Sequence, residues 1–399
     1  MNLREGALFR PGSVSLSRVT AVGFVVAMLS WSLNFYAPFV LALHLQHAAG
    51  WSALQASTPV TVHFLASAVL LWGLDRVHRR LGIAETLCCG LVASCIGMVA
   101  WANATLPLEA YAAAVVTGFG WALTGSASIA AFIGDRAQPW SLATALNGAT
   151  VGGFVFTPAF VFLANAWGMS WAAAAFAALV LALAIPLLAP LCGTVALPQS
   201  GTPASYAALL SNPRYRGMGL AFSLFVFGQI GAASHLLTRM AQVFDPQGAA
   251  FLMSLVLACG MAGRWLTAWA LNHIDCRRAA ALSFLVQAMA IVVMGVGQSQ
   301  FTLVFACAVY GLTIGNSILL LPIIAHKEFP PSERGKVIAS VSSFNQLALS
   351  LAPFGVAFAF EATHGYAVPF IGLALLQTIG LAITAWSWQN RPSQDEASS

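Results

Sequence analysis

Arg264, His63 and a small set of amides stand inside long apolar stretches, where a polar group is costly and therefore informative. Arg264 is the one ionised side chain well inside such a stretch. In a bilayer its burial costs about 2.5–3.5 kcal/mol, and its planar fork can hold a carboxylate through two parallel hydrogen bonds. It precedes Leu271 by seven residues, about 10 Å at about 1.5 Å per residue. Snorkelling to the interface, or a structural partner, is therefore the competing reading. His63 lies ten residues into its stretch, and no Asp or Glu stands near the middle of any. It is the remaining candidate to carry a proton, because imidazole titrates near physiological pH; a hydrogen-bonded packing role is the alternative. His235, near the end of a later stretch, is open to the same two readings. Asn34, Asn147, Gln229, Asn316, Asn345 and Gln346 carry amides that either contact a ligand or join helices. Tyr36 and Trp121 either line a cavity or pack.

The composition says what must position these groups. Of 399 residues, 59% are hydrophobic and 7% charged, against about 25% charged in soluble domains. Twelve helices of about 20 apolar residues would use about 240 positions. A soluble enzyme, a disordered chain, a coiled coil and a secreted disulfide scaffold are all disfavoured, and an all-α polytopic membrane protein is expected. The charge of +5 is scattered, without an aromatic-interleaved basic stripe, so nucleic-acid binding is not expected. The seven cysteines show no CxxC pair and no Cys/His ligand spacing, so no metal or disulfide framework is expected. Cys88-Cys89 with Cys95 would fit soft-metalloid export, but packing inside a membrane is the plainer reading.

Apolar runs fall at Val19–Leu43, Ala53–Leu74, Ile83–Ala102, Ala110–Ile133, Ser141–Ala164 and Trp171–Leu191, then at Gly219–Leu237, Ala249–Leu271, Ala279–Gly297, Phe301–Ala325, Val337–Phe360 and Val368–Trp388. The first is too long for a signal-peptide core and reads as a retained helix. With a cytoplasmic N-terminus, fifteen of the seventeen basic residues lie inside: Arg4, Arg10, Arg18, Arg76, Arg79, Arg80, Arg136, Arg214, Arg216, Arg277, Arg278, Lys327, Arg334, Lys336 and Arg391. Arg239 falls in an outer loop and Arg264 in a helix. The positive-inside rule then puts both termini in the cytoplasm.

The polar, Pro-bearing interval containing Pro198–Pro203 separates a six-helix half at 1–191 from another at 219–399, with 192–218 as cytoplasmic linker. The tail from Pro392 to Ser399 is expected to be disordered. Three pairings recur at nearly one offset: Trp72 with Trp269, Arg79-Arg80 with Arg277-Arg278, and Asn147 with Asn345. Their agreement favours two parallel repeats about an axis along the membrane normal. The offset sets His63 against Gly260, one turn from Arg264, and so predicts His63 and Arg264 on opposite walls of one cavity. Gly148-x-x-x-Gly152 and Gly311-x-x-x-Gly315 predict close helix approach.

Gly73-x-Asp75-Arg76-x-x-Arg79-Arg80, with a degenerate echo at Asn272–Arg278, resembles the loop 2–3 signature of the major facilitator superfamily. The resemblance implies twelve helices in two pseudo-symmetric halves. It also implies an inner gate of Asp75, Arg76, Arg79, Arg80, Arg277 and Arg278, pairing with one another and with helix ends in one conformation and parting in the other. Ala249–Ser254 leading to Arg264, Asn34-Phe35-Tyr36-Ala37-Pro38 and Gly50-Trp51-Ser52 resemble the monocarboxylate-transporter family and its bacterial relatives. That resemblance implies that Arg264 binds a substrate carboxylate. The chain departs from the animal-type pattern at Gly260, often Asp there, and at Phe39, often Lys.

No GxxxxGK[ST], HExxH or GxSxG motif is present, and the Gly-Pro pattern of facilitator-type drug exporters is missing from the fifth run, where Pro158 stands alone. The expectation is a non-enzymatic transporter without a cofactor, monomeric in the bacterial inner membrane. It would move a small organic anion, with or without a coupled proton, by alternating access. Arg264 would bind the carboxylate, and His63, Asn34, Tyr36, Asn147, Gln229, Asn316 and Asn345 would line the site. The rivals are efflux of a neutral or hydrophobic compound, and a non-transporting sensor or membrane-embedded enzyme.

Overall fold

A computed structural model describes residues 15–48, 50–134, 138–193 and 205–389. Arg4, Arg10, Arg136, Arg391, the Pro198–Pro203 stretch of the expected linker and the Pro392–Ser399 tail lie outside the described residues. The described residues form helices and no strand. In order they are α1 (Leu16–Trp31), a π-helical turn (Ser32–Tyr36), α2 (Ala37–Ala48), α3 (Ala53–Leu71), α4 (Leu74–Leu81), α5 (Ile83–Ala102), α6 (Pro107–Thr124), α7 (Ser126–Ile133), α8 (Pro139–Trp167) and α9 (Met169–Leu188). After these come α10 (Tyr206–Ser211), α11 (Pro213–Met240), α12 (Pro246–Ala270), α13 (Cys276–Val296), α14 (Gln300–Ile314), α15 (Asn316–Glu328), α16 (Pro331–Thr363) and α17 (Ala367–Gln389). Among the described residues eleven helical stretches are long and apolar enough to cross a membrane. A twelfth is the pair Gln55–Leu71 and Leu74–Leu81, bent by 64°.

Where the helices outrun the apolar runs, capping explains it. Asn212 accepts a hydrogen bond from the Arg214 N–H at 3.0 Å, and Pro213 takes the first helical position. Arg214 and Arg216 therefore belong to the first turn of α11, not to a loop. Asp275 caps α13 in the same way through the Arg277 N–H at 2.9 Å, which moves Arg277 and Arg278 out of the expected loop and into the helix. The eleventh run lengthens to the 33 residues of α16, because a helix begins at Pro331 while its first turns are polar. A count of apolar residues does not register such turns. Four breaks inside spans were not expected: the π turn, the bend at Trp72-Gly73, and interruptions at Gly125 and Gly315.

The described residues group into two compact units, within Met1–Thr202 plus Phe329–Gln346 and within Pro203–Glu328 plus Leu347–Ser399. In the first, α8 lies on α1 through the expected glycines. A Cβ at Gly148 would overlap the Phe24 carbonyl, and one at Gly152 would stand 2.6 Å from the Met28 carbonyl oxygen. In the second, α14 lies on α12, where a Cβ at Gly311 would stand 2.7 Å from that of Cys259. With lipid tails as apolar as leucine, this backbone-to-backbone approach is what holds such helices together.

Candidate functional site

In the second unit the polar residues gather where α14 stops and α15 starts. Arg264, in the second turn from the end of α12, is 6% exposed. Its guanidinium fills the space a side chain at Gly315 would need: a Cβ there would overlap Nε and lie 2.5 Å from Cζ. Glycine is required at 315 for that reason, and the interruption leaves backbone groups of two helix ends beside the cation. The break sets the partially negative C-terminal end of α14 and the partially positive N-terminal end of α15 beside Arg264. Asn316 opens α15. Its Nδ2 donates to Ser283 Oγ at 3.0 Å, while its buried Oδ1 makes no hydrogen bond. Gln229 on α11 receives the Tyr310 hydroxyl on its backbone carbonyl at 2.6 Å and keeps a buried, unbonded Oε1.

In the first unit a second cluster forms on α1, α3 and α6. His63 is fully buried, with Nδ1 2.8 Å from Thr117 Oγ1 and Nε2 without a hydrogen bond. The ring faces the Asn34 backbone carbonyl. Four residues after Asn34 stands Pro38, which has no N–H to offer, and the chain adopts the π turn Ser32–Tyr36 at this point. The Asn34 side chain donates through Nδ2 to the Ser30 carbonyl at 3.0 Å, leaving Oδ1 buried and unbonded. Trp121 stands edge-on to Trp31 at 4.8 Å, with its indole N–H buried and unbonded.

Of the other expected residues, Tyr36 lies against Gly153, where a Cβ would come within 2.5 Å of the Tyr36 Cζ. Asn147 is buried in α8 and Asn345 is half-buried on α16. His235 donates from Nε2 to the Pro353 carbonyl at 3.2 Å, the packing role. Asn34 with His63, and Arg264 with Asn316, thus form two clusters in different units. Thr117 and Trp31 were not anticipated, for their part depends on partners far away in the chain; Gly315, expected to bring helices close, instead admits the Arg264 guanidinium. The glycine spacing is the one local sign any of the three gives.

The inner-gate residues divide by burial. Asp75 is buried on α4 and paired with Arg79, not with its neighbour Arg76, because a helix brings i and i+4 together. A Cβ at Gly335 in the second turn of α16 would stand 2.5 Å from Asp75 Oδ1, so the carboxylate lies against the N-terminal part of that helix. Beside it His78 is buried, 3.1 Å from Ser128 Oγ. Trp72 packs edge-on against Phe344, and the Ser343 hydroxyl donates to the Ala68 carbonyl at 2.6 Å. Arg76 and Arg80 are exposed. In the second unit Arg277 is buried and holds Glu328 with two hydrogen bonds, while Arg278 is exposed. Arg239 corrects the sequence reading: it lies in the last turn of α11, 2% exposed, not in an outer loop. Its Nε donates to the Met294 carbonyl at 3.0 Å and Nη2 to that of Gly297, covering the end of α13.

Residues 20–353 match the Major Facilitator Superfamily. No curated protein sequence matches the chain. Among solved structures it is similar to the E. coli fucose:proton symporter FucP, at 13% identity and a TM-score of 0.71, covering 92% of this chain and 98% of that one. A structure of FucP in the outward conformation gives a TM-score of 0.72 at the same identity and coverage.

Proposed function

The chain belongs to the Major Facilitator Superfamily, and on that premise we propose that this membrane transporter moves a small organic anion, in the first instance a monocarboxylate. Alternating access carries the anion across the bacterial inner membrane, with both termini cytoplasmic. The observation that carries the reading is the buried guanidinium of Arg264 seated on Gly315 beside the start of α15. Arg264 supplies a full positive charge there, and Asn316 adds an amide at the same place. A neutral compound would take single hydrogen bonds from the guanidinium, whereas a carboxylate would be held by both arms of its fork and by its charge. Asn34, His63, Tyr36, Asn147, Gln229 and Asn345 supply the remaining polar lining. Asp75–Arg79 on α4 and Arg277–Glu328 brace the inner gate, with Arg76, Arg80 and Arg278 at its surface. Proton coupling, named in the fucose:proton symporter of similar fold, belongs to the same proposal.

The test is exchange of labelled two- to six-carbon monocarboxylates by protein in liposomes. Arg264→Ala removes charged hydrogen bonds worth about 3 kcal/mol and lowers exchange about 100-fold. Arg264→Lys, a point charge without the fork, recovers only part. Exchange at the wild-type rate in both variants sinks the anion site.

A further inference from the structure

The break between α14 and α15 is tied, on both sides, to a single turn of α13. Before it, Thr313 Oγ1 accepts a hydrogen bond from Gln287 Nε2 at 2.9 Å and gives its own proton to the Tyr310 carbonyl at 2.9 Å. After it, Asn316 Nδ2 donates to Ser283 Oγ at 3.0 Å. Ser283 and Gln287 are four residues apart in one helix, so they share a face and stand about 6 Å apart along it. Gly315, on which the Arg264 guanidinium is seated, lies between the two residues they hold. Gln287 is itself braced. Its Oε1 takes a hydrogen bond from Gln377 Nε2 on α17 at 2.7 Å, and the same Nε2 donates to the Phe225 carbonyl of α11 at 3.0 Å. Gln377 occupies the space of a missing side chain, for a Cβ at Gly228 would stand 2.7 Å from its Cγ. Both glutamines are fully buried.

Buried amides join membrane helices wherever they occur, and joining alone puts no weight on where the bonds fall. Here they fall on the residues that flank the seat. A break interrupts the backbone ladder that would otherwise set the direction of α15 from that of α14. A forked guanidinium holds a carboxylate only when its own position is fixed to within about 0.5 Å, so the seat has to be held from outside. We propose that Gln287 is a positioning residue of the anion site: braced by Gln377, it holds the end of α14 through Thr313 and, with Ser283 on Asn316, fixes the glycine seat of Arg264. Its role is exercised through Arg264, not through contact with the anion. The proposal rests on the anion reading above.

The experiment is a double-mutant cycle on exchange of labelled monocarboxylate by protein in liposomes. Gln287→Leu keeps the shape and removes both bonds, while Thr313 retains the Tyr310 carbonyl and Gln377 the Phe225 carbonyl. It raises KM about tenfold, the loss of one or two hydrogen bonds, with the maximal rate within about twofold of wild type and the thermal midpoint in detergent in place. Added to Arg264→Ala, it changes the residual exchange by less than about twofold, because no guanidinium is left to position. Thr313→Val cuts the same tie from its other end and raises KM in the same direction, whereas Thr313→Ser restores it; this pair serves if the leucine variant does not fold. An unchanged KM in Gln287→Leu or in Thr313→Val, or an equal loss with and without Arg264, overturns the positioning role and leaves the anion site standing. Absence of wild-type exchange, or exchange at the wild-type rate in Arg264→Ala, overturns the anion reading itself, and this inference with it.

Discussion

Two arginines are buried in the second unit, and their surroundings differ in kind. Arg239 lies where α11 ends, and its donors go to the Met294 and Gly297 carbonyls and to Gln242 Oε1 at 3.5 Å. Those are the orphan acceptors of a helix C-terminus, and a cation there satisfies both the hydrogen-bond count and the helix dipole. Arg264 stands instead where one helix ends and another begins, with a glycine emptied of its side chain to admit the guanidinium. The first site uses a charge to complete the protein. The second seats a charge on a glycine at a break between two helices. Burial alone does not make an arginine functional; what is arranged around it does.

That distinction can be broken by experiment, most forcefully at Arg264 itself. Arg264→Ala should cost about 100-fold in exchange while leaving the thermal midpoint in detergent nearly in place. A large loss of stability would class it with Arg239. Arg239→Met should do the reverse, lowering stability by about 2–3 kcal/mol through unfilled carbonyls, with transport per folded molecule close to wild type. Gly315→Ala tests the seat rather than the charge. The added methyl displaces the guanidinium, and exchange should fall about tenfold with no loss of helix content by circular dichroism; an unchanged rate would show that the seat is irrelevant. Among the inner arginines, Arg277→Ala leaves buried Glu328 unpaired and should destabilise by about 3 kcal/mol, whereas exposed Arg80→Ala should stay within about 0.5 kcal/mol in the same thermal assay.

The twelve apolar stretches and the two glycine pairs were legible in the sequence, because hydropathy and small-xxx-small spacing report the bilayer and the backbone approach directly. Arg264, His63, Asn34 and Asn316 stood out for a related reason: polar groups in apolar runs are few. What sequence could not supply was partnership. Arg79 and Arg76 flank Asp75 with equal plausibility until the helix of α4 selects the i+4 residue. Glu328 is an unremarked carboxylate until the fold turns it to Arg277. Arg239 looked like a loop residue because an apolar run ends two residues earlier, yet capping carries the helix past it. Gly125 and Gly315 resemble the many other glycines of this chain, and their role in interrupting a span depends on what packs beside them.

The π turn at Ser32–Tyr36 has a consequence for the tolerance of the chain to insertion and deletion. Such a turn holds about one residue more than an α-helical turn. Removing one residue elsewhere in a regular helix rotates everything beyond it by about 100°, turning a lipid-facing surface inward. Within Ser32–Tyr36 the surplus residue can be removed and the turn relax to α-helix, with Ala37–Ala48 keeping its phase. The first span thus carries its own slack, an indel-tolerant point in a helix where any other length change would scramble the outer half.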